Sequence, residues 1–264
     1  MTIAAESFSR QGRRLLLTLV VLCTGCVTTT DSVFTTPPAP QEALERRVAL
    51  ARQYIGQRDW DNAKRNLAQA VAIDDRNAEV HEAFALVYQS TGEKELAEES
   101  FQRALRLDRD FSRARNNYAA FLYAEQRYAD AEEELELVVK DTLYTGRPMA
   151  FVNLGLCRQQ LDKPAAAEEA FSRALSMDRA NTIALLELAQ LRFEAGDYTT
   201  ANRHYGTYRT AVRPQSARAL WLGIRLARVL DDRDAESSYA LALGSLYPES
   251  PEFREYQRMQ RDGQ

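Results

Sequence analysis

The chain has 264 residues, 45% of them hydrophobic and 27% charged, a balance that excludes disorder over most of its length and excludes a polytopic membrane protein. A net charge of −4, from 34 basic against 38 acidic side chains, offers no bulk attraction for nucleic acid. Two histidines, His81 and His204, and three cysteines, Cys23, Cys26 and Cys157, leave little material for a metal site. Only eight Pro and eleven Gly stand against abundant Ala, Leu, Glu and Arg, so the composition favours helix over sheet and points to an all-α binding protein.

Residues 1–25 read as an address label. Arg10, Arg13 and Arg14 form a basic start, and Leu15 to Leu22 form an apolar core of eight residues. That length suits a signal peptide and is far too short to cross a bilayer of about 30 Å as a helix. The following Cys23-Thr24-Gly25-Cys26 resembles the bacterial lipobox, which is cut before its cysteine. It departs from that motif in having Cys23 where Leu is preferred, with Leu22 one place early. The resemblance implies lipidation at Cys26 and, with Val27 rather than Asp following, delivery to the periplasmic face of the outer membrane. The plainer alternative is an ordinary secretory signal with Cys26 a free thiol.

Residues 26–43 then read as a lipidated cysteine and a tether, of which the Thr- and Pro-rich residues 27–41, extended and without periodicity, reach roughly 45 Å at about 3.1 Å per residue. Removal of residues 1–25 takes away three Arg and one Glu, which moves the net charge from −4 to −6. An acidic body makes attachment depend on the anchor. Cys157 is then the one cysteine left beside the lipidated Cys26, and it reads as a buried, inert small hydrophobe.

Residues 44–249 carry one pattern six times. Ala63, Leu67 and Ala70 return 34 residues later as Ala97, Phe101 and Ala104, then as Ala131, Leu135 and Val138. They recur as Ala167, Phe171 and Ala174, as Ala201, Tyr205 and Tyr208, and as Ala235, Tyr239 and Ala242. A large residue followed by a small one precedes each set, as in Phe84-Ala85, Leu154-Gly155 and Leu222-Gly223. The pattern resembles the tetratricopeptide repeat, a helix–turn–helix of that period, and implies a right-handed superhelical solenoid of about six repeats. The single two-residue insertion falls in residues 141–148 and predicts a longer loop between the third and fourth repeats. Residues 250–264 are polar enough to serve as a solvating cap.

No catalytic constellation survives inspection. The chain has no Gly-rich phosphate loop, no zinc-spaced His-Glu pair and no nucleophile elbow, so no cofactor, metal or small-molecule substrate is called for. The Asp pairs at 74–75 and 231–232 suit helix caps, and Trp60 and Trp221 suit packing between helices.

In proteins with this repeat, the second, fifth, ninth and twelfth positions of each first helix line a concave groove. That resemblance nominates Val48 and Ile55 in the first repeat, Leu86 in the second, and Asn116 and Tyr123 in the third. It nominates Val152 and Leu156 in the fourth, Leu186 and Phe193 in the fifth, and Leu220 and Ile224 in the sixth. The later half is markedly apolar. It therefore either holds an apolar segment of a partner or is covered by the chain's own C-terminus; the plainer reading is packing within a tightly wound solenoid.

Four strings narrow the family: Asn116-Asn-Tyr-Ala-Ala-Phe-Leu122, Asn153-Leu-Gly-Leu-Cys157, Ser216-Ala-Arg-Ala-Leu-Trp-Leu-Gly-Ile-Arg225 and Tyr247-Pro-Glu-Ser-Pro-Glu-Phe253. With the lipobox and six repeats, they resemble the type IV pilus biogenesis lipoproteins, the PilF/PilW family of pilotins. Ala119 and Tyr123 depart from that family, which usually has Gly and often Cys there. The resemblance implies a lipid-anchored protein that binds secretin subunits and brings them to the outer membrane for ring assembly. An envelope adaptor for peptidoglycan enzymes is the alternative in the same class, and a hydrolase using a carboxylate pair is the alternative among enzymes.

Overall fold

The computed structural model describes residues 39–262, and among them it holds thirteen helices and no strand. The signal segment, Cys26 and the tether as far as residue 38 lie outside the described residues. The chain divides into two units, Met1–Ala43 and Leu44–Gln264, and the second is the helical body.

Helices follow one another as antiparallel pairs. These are α1 (Pro40–Gly56) with α2 (Trp60–Ile73), α3 (Ala78–Thr91) with α4 (Lys94–Leu107), and α5 (Ser112–Ala124) with α6 (Tyr128–Val138). Next come α7 (Arg147–Gln160) with α8 (Pro164–Met177), α9 (Thr182–Glu194) with α10 (Tyr198–Ala211), and α11 (Ala217–Val229) with α12 (Arg233–Leu246). A last helix, α13 (Pro251–Asp262), has no mate.

The turn inside each pair is built the same way six times. Its N–H donates back five residues to a carbonyl: Asp59 to Tyr54, Glu93 to Tyr88, Arg127 to Leu122, Lys163 to Arg158, Asp197 to Arg192 and Asp232 to Ala227, all at 2.8–2.9 Å. That closure needs a left-handed residue just before the donor. Gly92 (φ 89°) and Gly196 (φ 79°) supply it without steric cost, while Arg58, Gln126, Asp162 and Asp231 adopt it with φ of 55–61°. Asp59, Asp197 and Asp232 then cap the second helices through the backbone N–H groups of Asn62, Thr200 and Ala235. Each such cap is worth about 1 kcal/mol.

Packing within and between pairs rests on small residues facing large ones. Ala63, Ala97, Ala131, Ala167 and Ala201 are fully buried, as are Leu67, Phe101, Leu135 and Phe171 one helical turn on. A Cβ on Gly155 would fall 2.5 Å from the Phe171 ring, and one on Gly223 would collide with the Tyr205 hydroxyl. The buried residues join α1 to α3, α3 to α7 and onward to α12, so the core runs along the body.

The insertion becomes residues 139–146, against four-residue connections such as 108–111 and 178–181. Asp141 ties this loop down by accepting from Ser112 Oγ at 2.6 Å and from the Leu143 N–H at 3.0 Å. The C-terminal segment is more than a polar cap. Phe253, Tyr256 and Met259 recur on one face of α13 and pack over Leu220, Ile224 and Leu243, taking the place that a seventh repeat would occupy.

Two glycine substitutions separate packing from propensity. Gly155→Ala should lower unfolding free energy by about 1–2 kcal/mol, because overpacking against Phe171 outweighs the gain in helix propensity. Gly206→Ala, with nothing within 4 Å of the new methyl, should raise it by about 0.5–1 kcal/mol. Urea unfolding followed by circular dichroism measures both.

Candidate partner-binding groove

The first helices of the pairs, α1, α3, α5, α7, α9 and α11, lie side by side. A chain of polar contacts bridges every neighbouring pair. Arg52 on α1 donates to Glu82 on α3 at 2.6 Å, and Asn117 on α5 donates to the other oxygen of Glu82 at 2.7 Å. Asn153 on α7 donates to Asn116 on α5 at 3.2 Å. Gln159 on α7 donates to Glu187 on α9 at 3.1 Å, and Arg218 on α11 grips both oxygens of Glu187 at 2.5 and 2.7 Å.

Glu82 is fully buried and Glu187 is 4% exposed, so each carboxylate depends on these donors for the solvation it has lost. None of the four partners Asn117, Asn153, Glu187 and Arg218 sits at the second, fifth, ninth or twelfth position. The sequence does carry a signal for the buried glutamate: in Leu185-Leu-Glu-Leu-Ala189 a lone acid interrupts an apolar run that has no solvent face to spare.

The eleven nominated groove residues divide. Val48, Val152, Leu220 and Ile224 are core residues, none more than 6% exposed, and this corrects their assignment to the groove wall. The fifth position of a first helix faces the next first helix. Val152, for example, packs with Phe171 of its own pair and with Ala184 and Leu188 of the next. Leu220 and Ile224 have no next pair and lie beneath α13. Asn116 occupies the same position but is spent on the polar chain.

Ile55, Leu86, Tyr123, Leu156, Leu186 and Phe193 are half-buried. The twelfth position alternates through the first five repeats, with Ile55, Tyr123 and Phe193 in odd repeats and Gln89 and Gln159 in even ones, and ends in the sixth as the buried Ala227. Tyr123 and Phe193 set their rings edge-on to Tyr128 and Tyr198, at 5.1 and 5.3 Å between centroids. The guanidinium of Arg225 lies over Phe193 at 4.5 Å, near Trp221 at 5.6 Å, with its Nε buried and without a hydrogen-bond partner. Phe193 is therefore partly covered by the chain itself.

The structure brings Tyr123 and Leu156 together at one site. With Ala119, Ala120, Leu135, Asn153 and Cys157 they line an almost wholly apolar cavity of about 80 Å³ between α5, α6 and α7. Its scale suits one small apolar side chain, and an empty apolar space of this kind attracts no water. Asn153 brings an amide to the same wall, whose Nδ2 donates to Asn116 and whose Oδ1 is the polar group it offers a bound backbone. Burial pushes the Cys157 thiol up to about 12, which keeps it protonated and inert.

His81 Nε2 lies 2.8 Å from the Asp75 carbonyl oxygen and 3.1 Å from Arg103 Nε, and His204 is pushed below the usual imidazole range by burial and then by Arg203. The described residues hold no cluster of three His, Cys, Asp or Glu side chains suited to a metal, and no helix long and apolar enough to cross a membrane.

Comparison with known proteins places this architecture. The tetratricopeptide repeat model matches residues 82–148 and 152–205. The type IV pilus assembly protein PilF of Pseudomonas aeruginosa is 39% identical over 244 residues, covering 92% of this chain and 96% of that protein. The solved structure of Pseudomonas aeruginosa PilF superposes with a TM-score of 0.81 over 83% of this chain and 99% of its own. The crystal structure of PilW, a type IV pilus biogenesis factor, follows at 26% identity and a TM-score of 0.71, over 82% of this chain and 99% of its own.

Glu187→Ala should cost about 1–3 kcal/mol, discounted because the Arg218 side chain is 48% exposed and can rehydrate. Urea unfolding with an unchanged m-value is the check. Native protein should leave Cys157 unlabelled by a thiol reagent at neutral pH, with labelling appearing only on unfolding; fast labelling of the folded chain at that residue would contradict its burial.

Proposed function

The chain belongs to the PilF and PilW family of type IV pilus assembly proteins, and from that premise we propose that it is a pilotin. It binds secretin subunits as they arrive in the periplasm, and a lipid on Cys26 carries them to the inner face of the outer membrane. There they assemble into the ring that the pilus passes through. The role needs binding and placement, and no bond is made or broken.

The observation that carries this reading is the socket at Tyr123 and Leu156 with the Asn153 amide on its wall. A short peptide held by one buried apolar side chain and by bonds to its backbone is the ligand such a site fits. The polar chain between first helices keeps the wall rigid, so little entropy is lost on binding. Anchor, tether and rigid holder together raise the local concentration of subunits at the membrane, which promotes their assembly without further contacts.

Leu156→Glu places a charge in the socket and should weaken capture of secretin by about tenfold or more while helicity is retained. Cys26→Ala should leave the helical body folded but shift it to the soluble periplasmic fraction, with secretin rings lost or misplaced. A Cys26→Ala chain that still fractionates with the outer membrane would contradict the anchor. Undiminished secretin capture by a folded Leu156→Glu chain would contradict the socket.

A further inference from the structure

We propose that the chain pairs with a second copy of itself by exchanging α13, each helix leaving its own body to cover Leu220, Ile224 and Leu243 of the other. Among the described helices α13 alone has no buried residue, although the side chains beneath it are buried. Its side-chain hydrogen bonds and ion pair are local: the Phe253 N–H donates to Ser250 Oγ, Arg254 to the Glu249 carbonyl and Arg258 to Glu255. None reaches α11 or α12 among the described residues, so the apolar contacts of Phe253, Tyr256 and Met259 hold the helix down. One flank is also unsealed. An open cavity of about 420 Å³ separates Tyr256 and Gln260 on α13 from Arg228 and Arg233 beside the α11–α12 turn. A helix attached in this way opens at lower cost than the pairs beneath it.

The connection to α13 is short and biased toward an open arm. Tyr247 donates its hydroxyl to the Gln215 carbonyl at 2.8 Å, which fixes the end of α12, and only residues 247–250 span the gap to Pro251. Tyr247 and Ser250 each precede a proline, Pro248 and Pro251, and a residue in that place avoids the helical region and favours extended backbone. A short hinge that favours extension loosens the folded-back arrangement and leaves the exchanged one untouched.

The seat selects its occupant. Gly244 leaves a notch that the Phe253 ring fills, and a Cβ there would fall 2.9 Å from that ring. The α13 of a second copy brings the same ring and the same stripe in the same register, so exchange loses no contact and costs the freedom given up on association. A second copy also has something to gain at this end. Leu241 and Leu246, on α12 close to the hinge, are 73% and 53% exposed, and a copy tied on through the hinge gives them apolar surface to bury against. The inference rests on the last pair and α13, and on neither Cys26 nor the socket, so it stands or falls separately from them.

Mixed-isotope crosslinking of the full chain tests it. Unlabelled and heavy-isotope chains, each with a diazirine analogue of methionine at Met259, are incubated together and irradiated. Crosslinks from residue 259 to residues 217–246 should join heavy peptides to light ones, in a share that rises with protein concentration. A run of glycines inserted after Glu249 lets α13 fold back freely and should lower that share about tenfold. Same-label crosslinks alone at every concentration would overturn the proposal, whether the chain stays monomeric or dimerises through another face. So would a mixed share that the insertion leaves unchanged. Same-label crosslinks that vanish when secretin is added would assign the seat to a partner and overturn it too.

Discussion

A pair of helices fourteen residues long cannot bury its own apolar face, and the rest of this structure follows from that constraint. Each pair must pass part of its apolar surface to the next. The close approach this requires is bought at a few positions by small residues: Ala on the second helices, Gly155 and Gly223 on the first. The two ends of the stack inherit the problem. At the C-terminal end α13 solves it by covering Leu220, Ile224 and Leu243 with Phe253, Tyr256 and Met259.

The same constraint determines what the groove can offer. A first helix touches its own mate, the preceding pair and the next first helix, which leaves little of its circumference for a partner. Where the position facing the next helix is apolar, as at Val152, it joins the core. Where it is polar, as at Glu82 and Asn116, it enters the chain of contacts that fixes one first helix against another. Binding surface survives in the remaining gaps, and between α5 and α7 one gap is deep enough to be a socket. A wall braced by these contacts and carrying such a socket suits the adaptor role proposed above.

Much of this was legible in the sequence. The 34-residue interval, the large–small pairs and the two-residue insertion predict six helix pairs, and the structure has six, with the insertion as a longer loop. The polar contact at Glu187 went unread, although a lone acid amid leucines marks such a site, and nothing in its own repeat names Gln159 or Arg218 as partners. Gln159 lies 28 residues away and Arg218 31, and their reach depends on the stagger between repeats rather than on any periodicity. The groove was less legible for the same reason. Position numbers identify which face a residue is on, but not how closely the next helix approaches it, and so Val48, Val152, Leu220 and Ile224 were misplaced. In α13, three apolar residues among many charges look soluble by composition, and only their spacing reveals a packing face.

We propose that a secretin segment occupies the socket between α5 and α7. Site-specific photocrosslinking in envelope membranes tests it most directly, with a photoreactive side chain at Leu156 and, as a control, at the exposed Glu99 on α4. The account predicts a secretin crosslinked from Leu156 and none from Glu99. Recovery of peptidoglycan hydrolases at Leu156 without secretin, or equal crosslinking from both positions, would contradict it.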